Sequence, residues 1–184
     1  SMLGCDWLPD LLEYDNMYPN LEIYDNAVYN IFKRDFIDSS PTFKGLDVKI
    51  KFRPYHENRE ESYFHITSND YYHEDNRNID IKRCERIKWL RKFIENSDCN
   101  KNTCLECSGM KVWSTLYKKN RLRIKIMLEE ERYLVVLEKR ENFYLLITAY
   151  YIDQNHRLRA LVKEFNKTKS ASEETQSTTP STLA

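Results

Sequence analysis

"RLRIKIMLEEERYLVVLEKRENFYLLITAYYI", residues 121–152, decides the fold. Three apolar runs are separated by breaks of a few polar residues. Runs this short fit strands better than helices, which need about 10–12 residues. The strands fall at 121–128, 132–139 and 143–152, and a fourth, 110–116, precedes them and carries "KVWST". Such short breaks favour antiparallel hairpins over crossover connections. The first run alternates, placing Arg121, Arg123, Lys125 and Met127 on one face. The other two are apolar on both faces, as expected of central strands covered by helices.

The last run also raises a question of chemistry. Strict alternation through "NFYLLITAYYID" (142–153) puts Tyr144, Leu146, Thr148, Tyr150 and Ile152 on one face. Thr148 and Tyr150 are then about 7 Å apart along the strand. Two such hydroxyls can bind a phosphate oxygen and orient a sugar hydroxyl. Thr and Tyr are also simply good strand formers.

Helices flank these strands. "IDIKRCERIKWLRKFIEN" (79–96) carries the stripe Cys84, Ile87, Leu90 and Ile94, with Asp80 suited to its first turn. Arg83 falls inside that stripe and Arg86 at its edge. An arginine on a buried face must find a partner or border a cleft. A closing helix, "QNHRLRALVKEFNK", turns Leu158, Leu161, Val162 and Phe165 inward. Upstream, Ile23, Ala27, Val28 and Ile31 mark a helix near 20–37, and "LDVKIKFR" alternates as a half-buried strand with a basic outer row. "SYFHITS" reads as a short strand, with Phe64 and Ile66 on one side and Tyr63, His65 and Thr67 on the other. From Lys167 onward the chain is Ser/Thr-rich and predicts disorder. The fold class is therefore α+β: a helix, a four-stranded antiparallel sheet and a closing helix, with an N-terminal helix and strand extension. Residues 1–40 form an acidic, aromatic extension, 41–166 the main domain and 167–184 a disordered tail.

Composition excludes several chemistries. Only three glycines are present, so there is no phosphate-cradling loop, dinucleotide fingerprint or nucleophile elbow. Lys+Arg and Asp+Glu both number 29, yet their distribution is uneven. Residues 1–32 hold six acids and no Lys or Arg, whereas residues 77–125 hold fourteen Lys or Arg against five acids. That excess suits a polyanion, and it equally suits a solvated basic surface. No stretch reaches the ~20 apolar residues of a membrane helix. Five cysteines without an export signal indicate reduced thiols and a cytoplasmic protein with no membrane attachment. Cys99, Cys104 and Cys107 offer three zinc ligands where four are wanted, with Cys84 the other donor to hand. Reduced loop cysteines and no metal are the simpler reading.

Of four histidines, His65 alone lies in an apolar-flanked segment, and imidazole is the side chain best suited to proton transfer near neutral pH. No Asp/Glu cluster sits at a strand end to hold Mg²⁺. Glu129, Glu130 and Glu131 belong to a turn. A nuclease built from these residues would use acid–base chemistry on RNA, with the substrate's 2′-hydroxyl as nucleophile and no cofactor. The candidates are His65, Arg83, Arg86, Thr148 and Tyr150 for catalysis. Lys139 and Arg140 are further candidate cations, and Arg121, Arg123 and Lys125 would hold the RNA backbone.

A family resemblance points the same way. "RCERIKWLRKFIEN", "KVWST", "YLVVLEKRENFYLLITAY" and "HRLRALVKEF", with "YFHITS" upstream, resemble the phage-associated barnase/EndoU/colicin/RelE-like (PBECR) nuclease-fold proteins. The resemblance covers roughly residues 43–166 and leaves the acidic N-terminal stretch outside. It implies a helix packed on a four-stranded antiparallel sheet and a metal-independent endoribonuclease of the toxin kind found in mobile elements. It also implies RNA as partner and an antitoxin or immunity protein as neutraliser. The matching positions are His65, Arg83, Arg86, Thr148 and Tyr150. A catalytically inactive RNA-binding or partner-binding module of the same fold is the alternative.

Overall fold

A computed structural model describes residues 5–69, 77–102 and 107–177, with side chains as far as Glu173. Helix α1 (Leu21–Phe36) is capped by Asn20, whose side chain accepts from the Ile23 N–H. It buries Tyr24, Asp25, Val28, Phe32, Asp35 and Phe36. That stripe is one position round from Ile23, Ala27 and Ile31, and Ile23 is exposed. The aromatic side chains carry more apolar area than Ile23 and take the inward face. Strands β1 (Thr42–Phe43) and β2 (Leu46–Lys49) form a hairpin through Lys44 and Gly45, both at positive φ. Val48 is buried and Asp47 and Lys49 point outward, as alternation requires. The strand stops at Lys49, and Phe52 is exposed.

"ESYFHIT" is the first correction. It is a helix, α2 (Glu61–Thr67), not a strand. Tyr63, Phe64, Ile66 and Thr67 are all buried, which is the i, i+1, i+3, i+4 pattern of a helix face. In so short a run Phe64 and Ile66 alone mimic a period of two. Thr67 closes the helix by donating from Oγ1 to the Tyr63 carbonyl at 2.7 Å. Two short strands, β3 (Ser68–Asn69) and β4 (Asn78–Ile79), then pair antiparallel.

Residues 79–96 form two helices, not one. Asp80 caps α3 (Ile81–Glu85) by accepting from the Arg83 N–H. Arg86 leaves helical geometry (φ −98°, ψ 14°) before α4 (Ile87–Glu95). Cys84, Ile87, Leu90 and Ile94 are buried, as the stripe predicts, together with Trp89 and Phe93. Strands β5 (Lys111–Tyr117), β6 (Arg121–Leu128), β7 (Tyr133–Lys139) and β8 (Tyr144–Tyr151) follow, each antiparallel to the next. Helix α5 (Asn155–Ser177) closes the chain and continues through residues for which composition predicts disorder. Residues 178–184 lie outside the described part.

The α+β class is observed, but the sheet is larger than four strands. Its order is β1-β2-β8-β7-β6-β5, with β2 parallel to β8. β2 pairs only with Tyr144 and Leu145, the first two residues of β8. The rest of that edge of β8 meets α2 and α3.

Each face of the sheet has its own core. Tyr133, Val135, Leu137, Leu146 and Ala149 join the larger one, which is covered by α1, α2 and α4. Trp113, Met127, Leu134, Val136 and Ile152 join the smaller one, under Leu161 of α5, with Leu158, Val162 and Phe165 beside it. The N-terminal stretch belongs to the larger core: Cys5 and Leu8 are buried in it with Tyr24, Val28, Phe32 and Phe36 of α1. Trp89 Nε1 donates to the Pro9 carbonyl at 2.8 Å, and the Leu12 N–H to that of Glu85 at 2.8 Å.

α1 is also tied in through one carboxylate. Arg77 donates to both oxygens of Asp25 (2.8 and 2.9 Å) and Arg59 to one (2.7 Å). Tyr63 Oη donates to Asp25 as well. Burial opposes charge on Asp25, but Arg77, Tyr63 and Arg59 outweigh it and hold the carboxyl below its ordinary value.

Candidate functional site

The site begins with an irregularity in β8. Val136 of β7 pairs with Thr148, but its neighbour Leu137 pairs with Leu146, so Ile147 is an extra residue. Such a bulge reverses the parity of the strand beyond it. The single face drawn from strict alternation is therefore corrected. Tyr144 and Leu146 point into the larger core, while Thr148, Tyr150 and Ile152 point to the α5 side. The bulge re-aims Thr148 and Tyr150 beside the edge where α2 and α3 abut β8.

Arg83 spans that junction. Its Nη1 donates to the His65 carbonyl at 2.9 Å and lies 3.5 Å from Thr148 Oγ1. Its Nε is buried without a hydrogen bond and stands 3.5 Å from Asp80 Oδ2. The guanidinium carbon sits 5.4 Å from the centre of the Tyr150 ring. Arg157 of α5 approaches the same ring at 5.9 Å. Burial raises the Tyr150 hydroxyl's pKa above the ordinary value, and Arg157 and Arg83 pull it back. Two cations, a hydroxyl and a phenol thus share one place, a donor set suited to an anion such as a phosphodiester.

Arg86 goes elsewhere. The break between α3 and α4 turns it toward Tyr151, whose ring centre is 4.3 Å from its guanidinium carbon, and Trp89, at 5.2 Å. Its Nη1 donates to the Lys82 carbonyl at 2.9 Å. Tyr151 pairs with Tyr133 on the larger-core side of β8, so Arg83 and Arg86 address opposite faces of the strand. Arg86 lines a separate cleft of about 600 Å³ with Pro9, Glu13, Glu131, Arg132 and Tyr151.

His65 is on α2, and its side chain turns to Glu61. Its Nε2 is 3.0 Å from Glu61 Oε1, while His56 Nε2 is 3.0 Å from Glu61 Oε2. Arg83 holds His65 through its backbone, so the two residues adjoin. Sequence reading singled out His65 alone among the histidines and passed over His56 and Glu61. The spacing of Glu61 and His65 (i, i+4) becomes a signal only once the segment is known to be helical.

The basic row on β6 has acidic partners. Buried Glu138, 1% exposed, is approached by Arg140 at 2.9 Å, Arg123 at 3.2 Å and Arg121 at 3.8 Å. Lys125 pairs with Glu164 of α5 at 2.9 Å. Arg123 also lies 3.6 Å from the centre of the Tyr117 ring. Lys139 Nζ donates to the Arg140 carbonyl at 2.8 Å. Among the described residues no group of three or more His, Cys, Asp or Glu side chains is arranged to hold a metal ion. Cys104, one of the three loop cysteines, lies outside the described residues. Among the described residues no helix is long and apolar enough to cross a membrane. No protein-family model, curated protein or solved structure matches this chain.

Proposed function

We propose that the protein is an endoribonuclease that cleaves RNA by attack of the 2′-oxygen on the adjacent phosphorus. The P–O5′ bond breaks, leaving a 2′,3′-cyclic phosphate and a 5′-hydroxyl. One observation carries the reading. The Arg83 guanidinium bridges the backbone carbonyl of His65 and the hydroxyl of Thr148, so a cation and a hydroxyl meet beside the helix that carries His65. His65 transfers a proton at the 2′- or 5′-oxygen. Arg83 stabilises charge on the phosphorane, the kind of interaction that is usually the largest catalytic term. Thr148 and Tyr150 orient the phosphate and sugar, with Arg157 as a second cation beside Tyr150. Arg86 faces the other side of β8, so its part in this chemistry is the weakest of the set.

The test is incubation of the purified chain with RNA in EDTA, beside His65→Ala and Arg83→Ala variants. Cyclic-phosphate ends that form in EDTA and disappear in both variants support the proposal. Cleavage abolished by EDTA and restored by Mg²⁺ sinks this mechanism. Binding without any cleavage favours an RNA-binding module of the same shape.

A further inference from the structure

The two edges of the large sheet differ. At one end β1 has two residues and β2 four, and strands so short give another chain little to pair with. At the other end β5 runs for seven residues in unbroken register with β6, from Lys111↔Met127 to Tyr117↔Arg121. Among the described residues β6 is its only strand neighbour. The strand carries none of the usual guards of an open edge. It has no proline and no bulge, and its one charged residue, Lys111, is turned to Glu129 at 3.0 Å with its side chain 12% exposed. On the side that faces the larger core, cover is lost toward the hairpin tip. Val112 packs against that core and Ser114 is exposed. Leu116 is 75% exposed beside its cross-strand partner Leu122, at 36%.

We propose that β5 pairs with β5 of a second copy of this chain, antiparallel about a twofold axis at Ser114, so that two sheets become one. The strand sequence, KVWSTLY, is self-complementary in that register, which is the one that uses all seven residues. Leu116 falls opposite Val112 of the second copy, Trp113 opposite Thr115, Lys111 opposite Tyr117, and Ser114 opposite itself. The exposed leucine gains an apolar neighbour and the lysine an aromatic ring, and no like charges oppose each other. About six to eight backbone hydrogen bonds form, since each facing pair of outward residues exchanges two. Charge sets the direction. The hairpin tip carries exposed Lys118 and Lys119. The other end of the strand holds exposed Glu130, which accepts from the Ser108 N–H at 2.8 Å. Antiparallel pairing lays the tip of each copy beside the Glu130 end of the other, whereas parallel pairing would set lysines against lysines.

Sedimentation velocity of the full chain, over a concentration series into the high micromolar range, reads the association without any variant. A reversible monomer–dimer equilibrium is the expected result. Leu116→Lys, at an exposed position, returns the chain to monomer throughout the series. Lys119→Glu weakens the dimer about tenfold, because two symmetry-related contacts turn from attraction to repulsion. Adding Glu130→Lys to that variant restores the association. Disulfide trapping reads the register. Opposed Cα atoms in an antiparallel pair lie about 4.5–5.5 Å apart, within reach of a disulfide. Ser114→Cys therefore links to its own copy under oxidised glutathione, with peptide mapping to identify the linked cysteines. Leu116→Cys is the more exposed site but stands about 14 Å from its own copy in this register, so it does not link. A chain that stays monomeric throughout the series overturns the proposal, as does a dimer that Leu116→Lys leaves unchanged. Linkage through Leu116→Cys and not through Ser114→Cys overturns the axis at Ser114.

Discussion

Arg59 and Arg77 both end on the carboxylate of Asp25, whereas Arg83 and Arg86 end on backbone carbonyls and ring faces. All four are largely withdrawn from solvent. The first pair has a full-strength counter-ion with charge-assisted bonds of 2.7–2.9 Å. Among the described residues the second has carboxylates no nearer than 3.5 Å, and the Nε atoms of both are buried without a hydrogen bond. A cation paired in this way is committed to the fold. A buried cation left under-paired keeps its field for something else, at a cost to stability. The contrast separates arginines committed to the fold from candidates for function, which net charge cannot do.

The contrast breaks most completely if α1 is removed. A chain beginning at Ser39 lacks Tyr24, Val28, Phe32 and Phe36 of the larger core and the carboxylate that Arg59 and Arg77 share. It should fail to fold, as far-ultraviolet circular dichroism and a missing cooperative urea transition would reveal. A folded, more active truncation would mean that the acidic stretch is a lid over the site. The burial of Cys5 and Leu8 in the larger core and the hydrogen bond from Trp89 to the Pro9 carbonyl argue against that.

Asp25→Ala isolates the clamp. Leaving two buried guanidiniums without their partner should cost about 3–5 kcal/mol in urea unfolding. The linkage has a definite sign. The folded carboxyl is held below its ordinary value, so its stabilisation is complete above about pH 4 and fades as pH falls through the folded value. Asp25→Asn should therefore flatten the acid limb of stability against pH. An unchanged limb would show that Asp25 is not the group that titrates.

Arg83→Ala should behave in the opposite way. It loses one hydrogen bond to a carbonyl, a contact to a hydroxyl, a loose ion pair with Asp80 and a ring contact with Tyr150, so its stability should fall by about 1–2 kcal/mol. Its RNA cleavage should fall about 100- to 1,000-fold, the loss seen when one preorganised donor to a developing charge is removed. Arg83→Lys, a point charge without the fork, should recover little. A variant that unfolds as readily as Asp25→Ala and cuts normally when folded would place Arg83 with the structural pair.

Much of this was legible in the sequence, and the failures have physical causes. The strands between 110 and 152 announce themselves because short apolar runs with hairpin breaks have few other solutions. The helix at α4 does so because Ile87, Leu90 and Ile94 repeat at helical spacing. The bulge at Ile147 leaves no mark in a run where nearly every residue is apolar or aromatic, so the face shared by Thr148 and Tyr150 was right and its extension back to Leu146 was wrong. α2 was misread because seven residues are too few to separate a period of 2 from 3.6, and its position hid the pairing of Glu61 with His65. The parallel pairing of β2 with β8 is a long-range contact that no local pattern records. The Asp25 clamp joins residues 34 and 52 positions apart in the chain, and a charge count sees only their signs.

The β6 row offers the finest distinction, because it lies between the two kinds of arginine. Arg123 resembles the structural pair: it donates to buried Glu138 at 3.2 Å and stacks on Tyr117. Arg121 shares that carboxylate only at 3.8 Å, and its side chain is 53% exposed. Three arginines around one carboxylate leave a net positive charge there, so the row can attract a polyanion even though none of its arginines is unpaired. Arg121 can turn outward to a phosphate with little loss to the fold, and Arg123 cannot. If RNA passes over this row, Arg121→Gln should lower the slope of log K against log salt by about 0.7, the value for one phosphate contact on a single strand. Its effect on stability should stay within about 1 kcal/mol, as for an exposed ion pair. Arg123→Gln should alter the slope less and stability more. Fluorescence anisotropy with a single-stranded RNA across a salt series, beside urea melts, measures both. Equal slopes for the two variants would show that exposure, not pairing, governs which arginines on this strand reach RNA. Slopes unchanged in both would put the RNA path elsewhere.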